Sequence, residues 1–243
     1  MPVALITGAS LGLGRALATE LARRGWSVVV DGRRADLLDD LVRGLAPGSV
    51  TALPGDVADP AHRTALLAAV QRHGRLDLLV NNASSLGPSP LPPLRDYPID
   101  QLAAVYEIDV LAPVALIQLH HPLLVASAGT VVNITSDAGI EAYEDWGGYG
   151  SAKAALDQVS AVLALEEPAL SVYAFDPGDM RTEMHQQAFP GEDISDRPGP
   201  ESVVPVLLAL VDGRPASGRY RARDLQVNTD PTVVGTVAAE VSR

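Results

Sequence analysis

The chain has 243 residues, a formal net charge of −12, 47% hydrophobic and 4% aromatic residues, and no cysteine. The acidity disfavours nucleic acid and anionic membrane as partners, and the lack of cysteine excludes disulfides and thiolate metal sites. The start Met1-Pro2-Val3 has no basic region, no long h-region follows, and no uninterrupted apolar run is long enough to span a bilayer, so a soluble cytoplasmic protein is expected.

Short β-branched runs alternate with longer Ala- and Leu-rich segments of helical period. Val3 to Ile6 reads as a buried strand, and Gly12 to Arg24 as a helix with Leu13, Leu17 and Leu21 on one face. A strand at Val28 to Val30, a helix at Ala35 to Leu45, a strand at Val50 to Leu53 and a helix at Pro60 to His73 follow. Leu76 to Val80 is the fourth strand, and Tyr97 to Val125 carries a helical pattern that Pro113 bends or interrupts. Gly129 to Ile134, Leu170 to Phe175 and Tyr220 to Val227 complete the strands, with helices at Tyr149 to Glu166 and Glu201 to Leu210. Apolar strands alternating with helices predict an α/β fold: a doubly wound parallel sheet of about seven strands with helices on both faces, in a single domain over 1–243. The Pro- and Gly-rich loops at Ser84 to Pro93 and Phe189 to Pro200 are long enough to be functional.

After the first strand comes Thr7-Gly8-Ala9-Ser10-Leu11-Gly12-Leu13-Gly14, and then a helix. Glycines there permit a tight turn and close backbone approach to a pyrophosphate, which the unpaired N–H groups of the helix start would bind. A second pattern is compositional. Of 18 basic residues, Lys153 is the only lysine, and it follows Tyr149 by four positions, on the same helix face. Lysine is a compact cation with three rotatable donors, whereas arginine is a planar fork.

These segments resemble the short-chain dehydrogenase/reductase family, a Rossmann-type fold, over most of the chain. Gly8, Gly12 and Gly14 have its T-G-x-x-x-G-x-G spacing, and Tyr149 with Lys153 its Y-x-x-x-K motif. Ser136 lies thirteen residues before Tyr149, where the family places its serine. Asp56-Val57 matches the adenine-contacting acidic position. Asn81-Asn82-Ala83-Ser84 resembles N-N-A-G with Ser84 in place of glycine, and Pro177-Gly178-Asp179-Met180-Arg181-Thr182 resembles P-G-x-x-x-T. The resemblance implies a carbonyl reductase or alcohol dehydrogenase in which Tyr149 is the acid/base, Ser136 holds the carbonyl oxygen, and Lys153 tunes the phenol and grips the nicotinamide ribose. It implies cofactor contacts from Gly8, Ser10, Leu11, Gly12, Leu13, Gly14, Asp56, Val57, Asn82, Ala83, Pro177, Gly178, Met180 and Thr182. Where the family carries an asparagine that holds a relay water, this chain has Asp109.

The end of the second strand, Asp31-Gly32-Arg33-Arg34, bears on the cofactor. An acid there binds the ribose 2′-hydroxyl of NAD, while arginine accommodates the 2′-phosphate of NADP. By register Gly32 takes the acid's place and Arg33 follows, so NADP(H) is favoured and NAD(H) remains open. Asp31 otherwise reads as a solvated strand-end carboxylate and Arg34 as a solvated loop cation. The substrate loop Glu141 to Trp146 reads as an acidic solvated loop or a site for a cationic or polyhydroxylated substrate. The stretch 180–200 reads as a lid, with Met184, His185 and Phe189 lining a pocket. No metal cluster is seen. The family resemblance implies a homotetramer or homodimer, and the apolar stretch Val110 to Leu119 fits an assembly face. Ser84 and Asp109 leave open a rival redox-neutral reaction, an epimerase or dehydratase, and because fold does not fix function a non-catalytic dinucleotide sensor is a second rival.

Overall fold

A computed structural model describes residues 1–225. Its parallel sheet holds β1 (Val3–Ile6), β2 (Ser27–Gly32), β3 (Val50–Pro54), β4 (Leu78–Asn81), β5 (Thr130–Ile134), β6 (Ser171–Asp176) and β7 (Gly218–Arg221), in the order β3-β2-β1-β4-β5-β6-β7. The helices are α1 (Gly12–Arg23), α2 (Ala35–Arg43), α3 (Pro60–Gln71), α4 (Ile99–Tyr106), α5 (Ala112–Ala126), α6 (Gly147–Glu166), α7 (Glu183–Ala188) and α8 (Val204–Gly213).

The period-2 geometry of the strands divides the core between two faces. Ala4 and Ile6 of β1 join Leu13, Leu17 and Leu21 of α1, Leu38 of α2 and Leu207 of α8 on one face. Val3 and Leu5 join Leu66 and Val70 of α3 and Leu116 and Ile117 of α5 on the other. Both faces are covered, which is why the strands read as unbroken apolar runs.

Pro113 does not end the helix expected over Tyr97 to Val125, which runs from Ile99 to Ala126. Having no N–H for the carbonyl one turn earlier, it is preceded by a wider π turn at Glu107–Leu111, and α4 and α5 run on as one helix. This helix, Ile99–Ala126, is long and apolar enough to cross a membrane, a property that a search for uninterrupted apolar runs does not detect. Here its Ala112, Leu116, Ile117 and Leu124 pack under the sheet. The stretch expected as an assembly face is thus spent largely on the core, with Leu111 left as its exposed apolar residue.

The last strand begins earlier than expected, at Gly218, and ends at Arg221; the end predicted at Val227 lies outside the described residues. The stretch 180–200 contains α7, capped by Thr182, whose hydroxyl oxygen accepts the His185 N–H at 3.2 Å. Six residues are too few to show a helical period in the sequence.

Candidate active site

Strand order reverses between β1 and β4, and ligands of open α/β sheets bind at such a switch point, beyond the carboxyl ends of the strands. A cavity of about 650 Å³ lies there. Every residue expected at the site or in the lid pocket lines it except Gly14, Asp109 and Phe189.

At one end the glycine turn crosses the end of β4. Gly8 has φ +67°, and a Cβ on it would lie 2.8 Å from the Ala83 Cα, so no larger residue fits. Thr7 Oγ1 accepts the N–H groups of Asn82 and Ala83 at 2.9 Å each, and the Asn82 amide donates to the Thr7 carbonyl at 2.8 Å. The Asn82 side chain therefore holds the turn in place rather than reaching into the cavity. Leu11, at the start of α1, offers no side-chain cap, so the first N–H groups of that helix remain available to an anion.

Asp31 is not solvated, although it borders the cavity. It is buried, its Oδ1 accepting the Gly8 N–H at 2.8 Å and its Oδ2 meeting His62 Nε2 at 3.2 Å. Burial pushes its pKa up, and the bonds from His62 and Gly8 oppose that. The carboxylate braces the glycine turn from beneath. The sequence reading missed His62, because nothing local marks a histidine on α3 as a partner of β2. Arg33 and Arg34 are exposed on the cavity rim, and Arg34 pairs with Glu183 of α7 at 2.6 Å.

At the other end, buried amides tie three elements together. Asn81 Nδ2 donates to Asn133 Oδ1 at 2.7 Å, and Asn133 Nδ2 to Ser160 Oγ at 2.8 Å, joining β4, β5 and α6. Gly150 lets α6 close onto the turn after β5, where a Cβ would stand 2.6 Å from the Ala138 carbonyl oxygen. Ser136, Tyr149 and Lys153 consequently line one wall. Ser136 Oγ donates to Asp137 Oδ1 at 3.0 Å, and the Lys153 Nζ lies 5.4 Å from the centre of the Tyr149 ring.

Lys153 is 2% exposed and Asp109 0%. Lys153 Nζ donates to the Ile134 carbonyl at 3.0 Å and pairs with Asp109 Oδ1 at 2.8 Å. Asp109 also accepts the Ser84 hydroxyl on Oδ1 and the Ser85 N–H on Oδ2 at 3.0 Å. Burial alone would lower the Lys153 pKa, but Asp109 and Tyr149 outweigh it and raise it. Tyr149 is pushed up by burial and then by Asp109, against the Lys153 charge and the hydroxyls of Ser84 and Ser136, which pull it down.

A family model described as short chain dehydrogenase matches residues 2–193. The chain belongs to the short-chain dehydrogenase/reductase family. It is thereby an NAD(P)-dependent oxidoreductase. The benzil reductase ((S)-benzoin forming) of Saccharomyces cerevisiae is 32% identical over 215 residues, which cover 85% of this chain and 80% of that protein. A short-chain dehydrogenase from Shigella flexneri, solved in complex with NADP, superposes with TM-score 0.85 at 30% identity, covering 91% of this chain and 97% of its own. An Escherichia coli short-chain dehydrogenase complexed with NADPH superposes with TM-score 0.84 at 29% identity, covering 91% and 96%.

One bracing residue of this family member has no local sequence signal. Arg219, on β7, donates through Nε to Asp157 of α6 at 3.1 Å, and through Nη2 to the Ser136 carbonyl at 3.0 Å and to Asp176 at 3.1 Å. It ties the Ser136 turn, the helix of Tyr149 and the end of β6 to one cation. Arg219→Met leaves two mostly buried carboxylates without it. Because Arg219 is itself partly exposed, the expected loss is about 2 kcal/mol, below that for a fully buried pair. For a chain of this size that lowers Tm by roughly 4–8 °C in a thermal melt, and an unchanged Tm would show the cluster to be inert.

Proposed function

We propose that this protein reduces a ketone to a secondary alcohol with NADPH, or runs the reverse reaction, using Tyr149 as acid and base. The observation that carries this reading is the convergence of Ser136, Tyr149 and Lys153 on one cavity wall, opposite the glycine turn. Bound NADPH would supply the hydride to the carbonyl carbon. The carbonyl oxygen then gains negative charge and needs both a hydrogen-bond donor and a proton. Ser136 provides the first and the Tyr149 phenol the second. Lys153 spends two of its three donors on Ile134 and Asp109, which leaves one N–H for the ribose.

The residues suit a 2′-phosphorylated cofactor. Each oxygen of Asp31 already holds a partner beneath the glycine turn, the Gly8 N–H and His62, and these compete with a ribose 2′-hydroxyl for that carboxylate. Gly32 and Ser10 pack closely, and Arg33 and Arg34 on the rim supply positive charge for the phosphate. The nearby structures solved with NADP and NADPH support the same choice.

The substrate end is apolar and aromatic. Trp146 meets Tyr149 edge to face at 5.9 Å and Phe189 at 5.9 Å, and Leu86, Met184 and Ala188 complete the wall. This favours a bulky, aryl-bearing ketone over a sugar, and the benzil reductase name of the yeast relative fits it. Glu141 and Glu144 are exposed, in keeping with the reading of their segment as an acidic solvated loop. We also read the chain as a homo-oligomer.

A panel of aryl ketones and diketones tested with NADPH and NADH checks the reading. Net NADPH consumption with alcohol formed, and a kcat/KM at least about tenfold better than with NADH, are expected. Arg33→Ala should raise the KM for NADPH about tenfold or more and leave that for NADH nearly unchanged, the worth of one charge-assisted phosphate contact. No net cofactor consumption on any ketone, or a preference for NADH, would overturn the proposal.

A further inference from the structure

Arg34 and Glu183 stand 149 residues apart in the chain and meet at the cavity rim, Arg34 Nη2 donating to Glu183 Oε2 at 2.6 Å. Arg34 precedes α2, beside the end of β2 where the adenosine ribose is expected, and Glu183 opens α7 directly after Thr182. The start of α7 lies close over the glycine turn, since a Cβ on Gly12 would stand 3.5 Å from Thr182 Cγ2. The pair therefore joins the adenosine end of the cavity to the lid. Of the two rim arginines, Arg34 is the one with a carboxylate partner among the described residues. Both members of the pair are about half exposed, and an ion pair of that kind holds its partners weakly. A phosphate is the stronger anion, bringing up to two charges and three acceptor oxygens to the same planar fork.

We propose that Glu183 is a specificity residue that competes with the cofactor's 2′-phosphate for Arg34, which rests on the reading that the cofactor carries that phosphate. The competition has two parts of the same sign. Arg34 has to release Glu183 before its terminal nitrogens can face a phosphate together. The released carboxylate then stands near a group of like charge, which opposes binding further. NAD(H) has a hydroxyl in place of the phosphate, gains little by displacing a carboxylate, and leaves the pair as it is. Arg33 supplies the uncontested charge, and Arg34 adds to it only by exchange. Glu183 thus holds the preference for the phosphorylated cofactor below what two free arginines would give.

The place of α7 does not depend on this pair. Thr182 caps the helix by accepting the His185 N–H at 3.2 Å, and Ser89 Oγ, from the loop after β4, donates to the Gln187 carbonyl at 2.7 Å. Phe189, at the other end of α7, packs on Trp146. Glu183→Gln removes the charge, keeps the size and leaves these three contacts. It therefore separates competition for Arg34 from the placing of the lid.

Binding of adenosine 2′,5′-bisphosphate and of adenosine 5′-monophosphate, which differ only in the 2′-phosphate, is measured by calorimetry in the wild type, Glu183→Gln, Arg34→Ala and the double variant. The wild type should prefer the bisphosphate by about tenfold or more. Glu183→Gln should bind the bisphosphate about three- to fivefold more tightly than the wild type, the scale of one exposed ion pair, and the monophosphate within about twofold of it. In the Arg34→Ala background the same substitution should gain less than about twofold, because the contested cation is gone. Neither nucleotide reaches the nicotinamide end, so the result does not depend on turnover. Equal binding of the two nucleotides by the wild type overturns the 2′-phosphate reading, and the competition falls with it. A wild-type preference with no gain in Glu183→Gln overturns the competition alone and leaves the cofactor reading standing. The same holds for an equal gain with the monophosphate, or for a gain that survives in full without Arg34.

Discussion

Lys153→Arg is expected to lower kcat about a hundredfold or more, although the charge is kept. The ammonium is enclosed. It is 2% exposed, with the Ile134 carbonyl at 3.0 Å and Asp109 at 2.8 Å, and it needs its third donor for the cavity. A guanidinium is larger and planar and cannot aim donors in three tetrahedral directions from that volume. Forcing it in overpacks the contact between α6 and the turn after β5 and costs about 1–3 kcal/mol. Lys153→Met separates the structural part of the role from the catalytic part. It leaves the Asp109 carboxylate buried beside two neutral donors and should cost about 3–5 kcal/mol in denaturant unfolding. Adding Asp109→Leu to Lys153→Met should recover most of that stability and none of the turnover. If Lys153→Arg keeps most of its turnover, compact geometry is not why this chain has lysine here.

The lone lysine was legible because its information is local: Tyr149 and Lys153 share a helix face, and Ser136 stands at a fixed spacing before them. The strands were equally legible, since a sheet covered on both faces leaves unbroken β-branched runs. What escaped the sequence was pairing between distant elements. Asp31 reads as a strand-end acid, and only the fold brings Gly8 and His62 to it. Arg219 sits 83 residues from the Ser136 carbonyl it holds, on a strand of no distinctive composition. Ser84 and Asp109 were each visible as departures, 25 residues apart, but their contact depends on how the loop after β4 folds over the π turn. That turn in turn depends on Pro113. The six-residue α7 shows the limit at short range, because a helix of less than two turns is fixed by its Thr182 cap and its packing, not by a period.

Tyr149→Phe should lower kcat by about 10²–10⁴, the range for a removed general acid, and leave cofactor binding intact. Stability should change by less than about 1 kcal/mol, because the ring keeps its packing against Trp146 and Leu86 and only one hydroxyl is lost. The pH dependence separates this from a general disturbance of the site. Reduction requires the protonated phenol, so the wild-type rate should hold through neutral pH and fall as pH rises through the Tyr149 pKa. Alcohol oxidation requires the phenolate and should rise over the same interval. Burial and Asp109 place that pKa above the ordinary tyrosine value in the free protein, so its alkaline limb lies high. Asp109→Asn removes one cause of the elevation and should move the limb down. In Tyr149→Phe the residual rate should show no such limb. A limb that persists in that variant would assign the proton to another group.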